Sequence, residues 1–122
     1  MVMEVLENVG LAHTVDMMPA ELSGGMRKRI ALARTLILKP AIILYDEPTT
    51  GLDPITGMEI IELIKQVQQQ YQTSALVISH DMVLAKTASE RIAMLIDGKC
   101  YTTGTYANLK ASTDPKLQAF FN

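Results

Sequence analysis

The amino-acid sequence predicts an α/β fold, a mainly parallel sheet with flanking helices, on three observations. Ala41-Ile42-Ile43-Leu44-Tyr45 is a continuous apolar run that stops at Asp46-Glu47-Pro48. Ser74-Ala75-Leu76-Val77-Ile78-Ser79 is a second run, stopping at His80-Asp81. Short apolar runs bounded in this way are the pattern of parallel strands buried on both faces. Between them Ile60, Ile64, Val67 and Tyr71 recur with a helical period, and strand, helix, strand in that order makes a parallel crossover.

The elements follow in chain order. Val2 to Val9 reads as a short helix stopped by Gly10, and Pro19-Ala20-Glu21 leads through a loop to Ser23. Ser23 is placed to cap a helix on which Met26, Ile30, Ala33 and Ile37 form one apolar face while Arg27 and Arg34 lie on another; Pro40 ends it. After the first strand, Asp53 suits an N-cap and Pro54 a first helical residue, predicting a helix to about Tyr71. A short helix to about Ala88 follows the second strand. Arg91 to Ile96 and Lys99 to Thr103 flank Asp97-Gly98, a two-residue hairpin signal expected to add an antiparallel edge to the sheet. Two short helices finish the chain, the last capped by Asp114 before Pro115.

Composition narrows the function classes. The 122 residues are 48% hydrophobic and 20% charged, as in one globular unit with a modest core. Eleven Lys and Arg against thirteen Asp and Glu leave a net charge of -2, so no overall field draws the chain to nucleic acid or anionic lipid. A single cysteine, Cys100, excludes an internal disulfide framework and suits a reducing compartment, with the cytoplasm expected. Uncharged stretches are too short to cross a bilayer, and Met1-Val2-Met3-Glu4-Val5 lacks the basic start of a secretion signal.

Chemistry concentrates at a few places. Ser23-Gly24-Gly25 puts a hydroxyl and two glycines at a helix N-terminus, where exposed N–H groups and the helix dipole favour a phosphate, although the same residues also make an ordinary capped turn. Asp46 and Glu47 place two carboxylates at a strand's end, where Asp46 could hold Mg2+ and Glu47 could activate a water; the plainer alternative is a pair of surface acids. Ser79-His80-Asp81 names a hydrolase trio, but adjacent residues cannot line up nucleophile, base and orienter. His13 and Cys100 have no partners at metal-ligand spacing, and Arg27-Lys28-Arg29 reads as a solvated helix face.

Together, Leu22-Ser23-Gly24-Gly25-Met26, Ile43-Leu44-Tyr45-Asp46-Glu47-Pro48-Thr49, Gly51-Leu52-Asp53-Pro54 and Ser79-His80-Asp81 resemble the motifs of ATP-binding cassette (ABC) ATPases in their family order, over about Leu22 to Gly98. The resemblance implies a fold of the P-loop NTPase type, with ATP and Mg2+ as cofactors. It makes Ser23, Gly24 and Gly25 the signature loop that contacts the γ-phosphate held by an opposite subunit. Asp46 becomes the Mg2+ residue, Glu47 the general base, Asp53 the residue that communicates across a dimer and His80 the switch histidine. Met26 stands where the familiar signature has Gln, a feature frequent among ATPases of the Mla and Mce lipid transporters, and the tail from Asp114 to Phe121 is similar to that group's ending.

A phosphate-binding P-loop requires Gly, four residues, Gly-Lys and Ser or Thr. The one Gly-Lys, Gly98-Lys99, has Ala93 in place of the first glycine and Cys100 in place of the hydroxyl. The expectation is therefore the C-terminal part of one ABC ATPase domain, truncated before the P-loop strand and inactive by itself. Residues 1–39 would end a helical subdomain and carry the signature helix, 40–104 would form the sheet core and 105–122 the C-terminal helices. The expected partners are a second ABC ATPase subunit and a transmembrane permease, not nucleic acid, placing the protein peripherally on the cytoplasmic face of the cell membrane. Alternatives are a non-transport ABC ATPase of the translation type and a truncated product that binds without turnover. The DNA-repair branch is disfavoured because Met1 to Leu22 shows no heptads.

Overall fold

The structure, a computed structural model, describes residues 1–122. It resolves into two compact units, Met1–His80 and Asp81–Asn122. No helix is long and apolar enough to cross a membrane.

In the first unit, α1 (Val2–Asn8) and short 3-10 turns at Ala12–Thr14 and Pro19–Glu21 precede α2 (Gly24–Leu36), β1 (Ile42–Asp46), α3 (Pro54–Tyr71) and β2 (Ser74–Ile78). Local chemistry sets the boundaries. Ser23 Oγ accepts the Met26 N–H at 3.1 Å to open α2, and Asp53 Oδ2 accepts the Thr56 N–H at 3.0 Å to open α3. At its far end α3 stops at Gln72, whose φ of 51° is the left-handed ending common to helices. The α2 helix stops at Leu36, short of Pro40, because Lys39 already turns the chain with φ 49°.

The core gathers Val5, Leu6, Val9 and Leu11, Leu32, Ala33 and Leu36 of α2, Ile43 of β1, and Leu63 and Val67 of α3. On α2 the stripe of Met26, Ile30 and Ile37 packs against this core only partly buried, and Leu32 and Leu36 lie deeper. A one-residue rotation of the apolar face is enough to produce that difference, since neighbouring stripes on a helix share residues.

Strands β1 and β2 pair in parallel from Ile42↔Ser74 to Asp46↔Ile78, with α3 as the crossover, as the sequence predicts. Burial on both faces is not found. Ile43 is 3% exposed, whereas Leu44 is 71% and Leu76 59% exposed, and Ile42 and Ile78 are exposed with them. Alternate residues of a strand face opposite ways, so one face sits on the helical core and the other stays open to solvent.

The second unit holds α4 (Met82–Ala88), β3 (Ile92–Ile96), β4 (Lys99–Gly104), α5 (Tyr106–Lys110) and α6 (Pro115–Phe121). Asp97 and Gly98, with φ of 52° and 74°, form the mirror-image turn that the hairpin signal demands. The hairpin is a separate two-stranded sheet, not the expected added edge of the first. Its strands pair from Ile92↔Gly104 to Ile96↔Lys99, with a register shift between Met94 and Leu95. Met94 packs with Leu109, Leu117 and Phe121, so the hairpin's apolar face is covered by α5 and α6. Asp114 caps α6, accepting the Lys116 N–H at 2.9 Å.

Candidate functional site

The chemistry gathers where β1 ends. Glu47, the residue after the strand, has φ 48°, a left-handed conformation that is uncommon and strained for a residue with a side chain. Its N–H donates to Ile78 O at 2.8 Å, continuing the β1–β2 pairing by one residue. Its carbonyl accepts the Thr50 N–H at 3.3 Å and the Lys28 ammonium at 3.2 Å.

The Glu47 carboxylate is held as firmly. Oε1 lies 3.0 Å from His80 Nδ1, and Oε2 accepts from Thr50 Oγ1 at 3.3 Å. The His80 hydrogen bond, aided by that ring's charge and by Thr50, holds the Glu47 carboxyl below the usual glutamate range and outweighs partial desolvation. Glu47 is therefore ionised near neutrality and can only accept, so His80 Nδ1 carries the shared proton. His80 is largely exposed and Glu47 about one-third so, which leaves the pair open to a ligand from solvent.

Asp46, the last residue of β1, is opposite Ile78 in the ladder and is exposed. No group of His, Cys, Asp or Glu clusters as a ready metal cage. Mg2+ commonly binds through one or two carboxylates together with substrate phosphates and water, and the lone Asp46 carboxylate fits that mode.

Ser23, Gly24, Gly25 and Asp53 come together at a second place, where α2 and α3 begin side by side. A Cβ at Gly24 would lie 3.5 Å from Leu52 Cδ2, and one at Gly25 only 2.5 Å from Thr56 Cγ2. Gly25 is buried, and only glycine admits this approach of the two helix starts. Asp53 is held below the usual aspartate range, chiefly by its hydrogen bond from Thr56. Helix α2 thus starts with an exposed Ser23 and Gly24 at its positive end.

The structure joins Glu47 to His80 and joins Ser23–Gly25 to the Asp53 turn. Asp46 stands next to Glu47 in the chain, with its own carboxylate exposed. The reading of Arg27-Lys28-Arg29 as a solvated face holds only for Arg27, which is exposed. Lys28 is half-buried on the Glu47 carbonyl, and Arg29 donates to Val9 O at 3.2 Å while pairing with Glu59 at 3.2 Å. Thr50 was likewise not legible as a site residue. The available signal was the distance of Lys28 from Ser23, a little over one helical turn, which puts both near one end of α2.

The ABC transporter family model matches residues 1–50. The lipoprotein-releasing system ATP-binding protein LolD of Myxococcus xanthus is 48% identical over 91 residues, covering 75% of this chain and 41% of the relative. The intermembrane phospholipid transport system ATP-binding protein MlaF of Escherichia coli is 38% identical over 121 residues, 99% of this chain and 45% of the relative. The methionine import ATP-binding protein MetN of Haemophilus ducreyi is 37% identical over 118 residues, 97% of this chain and 34% of the relative. The chain spans less than half the length of these curated relatives.

Among solved structures, a dimeric ATP-binding cassette in a post-hydrolysis state with ADP and Pi superposes with TM-score 0.70 at 36% identity, covering 84% of this chain and 44% of that one. An ATP-binding cassette of an ABC transporter in its ADP conformation superposes with TM-score 0.86 over 98% of this chain and 48% of that one; at 24% identity it speaks for the fold alone. With four motifs in order, the β1 and β2 ends meeting at Glu47 and His80, and these relatives, the chain belongs to the ABC transporter ATPase family.

Proposed function

We propose that this chain supplies the water-activating carboxylate and the phosphate-capping loop of the ATP-hydrolysing, energy-coupling subunit of a membrane transporter. The observation that carries the reading is the Glu47–His80 pair, 3.0 Å apart at the end of the parallel strands. Glu47 is ionised and hydrogen-bonded to His80 and Thr50, so it can orient a water and take its proton in line with a γ-phosphate. His80 fixes the carboxylate from one side. Asp46 would hold Mg2+, which when bound draws charge from the phosphate oxygens.

Ser23, Gly24 and Gly25 contact the nucleotide held by a second ATPase subunit, and Asp53, at the neighbouring helix start, relays between the two sites. This division of labour is supported by the packing of Gly24 and Gly25 against Leu52 and Thr56, which flank Asp53. In this reading the chain is the C-terminal part of a single ATPase domain. It works at the cytoplasmic face of the membrane through a permease. No P-loop pattern occurs among its 122 residues, so the chain alone binds Mg-ATP poorly and does not turn it over. For the cargo we favour a lipid, on the strength of Met26 and the Asp114–Phe121 tail; MlaF and LolD act in phospholipid transport and lipoprotein release by name. Methionine import by the MetN relatives is the reading against which it is tested.

The decisive comparison is Glu47→Gln against Asp46→Asn in the ATP-hydrolysing protein that carries this chain. Glu47→Gln keeps the hydrogen-bonding shape and removes the base, so nucleotide should still bind and turnover should fall about 10²–10⁴-fold. Asp46→Asn should instead weaken Mg-nucleotide binding. Turnover of Glu47→Gln at the parental rate would remove Glu47 from the chemistry. For the cargo, phospholipid vesicles should stimulate the ATPase in complex with its permease; stimulation by methionine and not by lipid would decide for amino-acid import.

A further inference from the structure

We propose that Lys28 is a positioning residue for Glu47, its ammonium holding the Glu47 backbone in the left-handed conformation from which the carboxylate meets His80. The proposal rests on the reading of Glu47 as the water-activating group and adds the residue that keeps it in place.

Four residues other than glycine have positive φ: Lys39, Glu47, Gln72 and Asp97. Most have a local cause. Lys39 and Gln72 follow the C-termini of α2 and α3, where left-handed residues are the ordinary ending, and Asp97 shares a two-residue hairpin turn with Gly98. Glu47 follows a strand, and glutamate has no special tolerance for this region. Strained backbone of this kind persists only where surrounding structure over-determines it.

The restraints on Glu47 come from separate elements. Ile78 at the end of β2 accepts its N–H at 2.8 Å, and Thr50 in the following turn donates to its carbonyl at 3.3 Å. Lys28 reaches the same carbonyl at 3.2 Å from α2, a charged donor and thus a stronger one than the Thr50 amide. Without Lys28 the remaining donor to that oxygen is the uncharged Thr50 amide at 3.3 Å, the weaker of the two, set against a conformation the residue disfavours. The carboxylate would then leave His80 as the peptide turned.

Nuclear magnetic resonance of the isotopically labelled chain tests this without any nucleotide. A left-handed residue brings its own amide hydrogen close to its Hα and gives a strong intraresidue cross-relaxation peak. In K28M that peak should weaken to extended-chain intensity at Glu47 while Gln72 and Asp97 keep theirs, and K28R, whose guanidinium still donates, should restore it. Should K28M lose the Gln72 and Asp97 signals too, the same comparison on K28Q decides. A full-strength Glu47 peak in a folded K28M or K28Q overturns the proposal. In the ATP-hydrolysing protein, K28M should lower kcat by about 10²-fold at unchanged KM, as misplacement of a reacting group does, and K28R should recover it. Parental turnover by Glu47→Gln would sink the catalytic reading and leave the backbone result standing, so the two failures are separable.

Discussion

Alanine at Gly25 tests the tight approach of the α2 and α3 starts. The new Cβ would stand 2.5 Å from Thr56 Cγ2, where carbon atoms in contact settle at about 3.5–4.0 Å. About 1 Å of separation must come from somewhere. Thr56 is β-branched and therefore stiff at χ1, and its N–H is committed to the Asp53 cap. Overpacking of this kind costs about 1–3 kcal/mol. Against it, replacing glycine within a helix recovers about 0.5–1 kcal/mol of backbone entropy. The net expectation is a loss of about 1–2 kcal/mol, or roughly 4 °C of melting temperature for each kcal/mol in a chain of this size. Thr56→Ser removes the offending methyl. In that background Gly25→Ala should cost nothing or stabilise slightly, giving a coupling of about 1–3 kcal/mol in a double-mutant cycle read by thermal or urea unfolding. Equal effects of Gly25→Ala in both backgrounds, or stabilisation in the parental chain, would refute the steric argument.

Acid should destabilise the fold, because Glu47, Asp53 and Asp114 are all held below their ordinary ranges by hydrogen bonds. A depressed folded pKa gives stability that is present above the unfolded value, about 4, and lost as pH falls through the folded one, so melting curves should decline below about pH 4 and decline less in Asp53→Asn. At the alkaline end, burial pushes Tyr45 up to about 12. Its neutral form is favoured in the folded state, so stability should fall as pH rises from about 10 to 12, and Tyr45→Phe should remove that slope together with the latest-ionising component of the 295 nm absorbance. Isothermal titration of the 122-residue chain with Mg-ATP should give a Kd well above micromolar; a micromolar value, about -8 kcal/mol, would show that the phosphates are gripped without a P-loop.

What could be read in the sequence was what local chemistry decides. Ser23 before α2, Asp53-Pro54 before α3, Asp114-Pro115 before α6 and Asp97-Gly98 between β3 and β4 act within a few residues of themselves, and each acts as expected. The two strands were legible as well, with their polar stops at Asp46 and His80. Their burial was not, since Ile42, Leu44, Leu76 and Ile78 look the same in sequence whether or not a second layer lies on them. Nor could the sequence tell whether the hairpin closes its own ladder or joins another, because strand pairing is a choice among distant partners.

The candidate site divides along the same line. Glu47 was legible as a residue type at a strand end, but its left-handed backbone has no local signature, unlike that of Asp97 beside Gly98. That conformation is held by Ile78 of β2 on the peptide before Glu47 and by Lys28 of α2 and Thr50 of the following turn on the peptide after it. Lys28 was misread for the complementary reason. In sequence it sits between two arginines and looks solvated, and only the fold brings the Glu47 carbonyl to it. Local rules fail here where distant groups converge on one strained residue, and such a residue is where function is expected, since strain kept against local preference needs the whole surrounding structure to hold it.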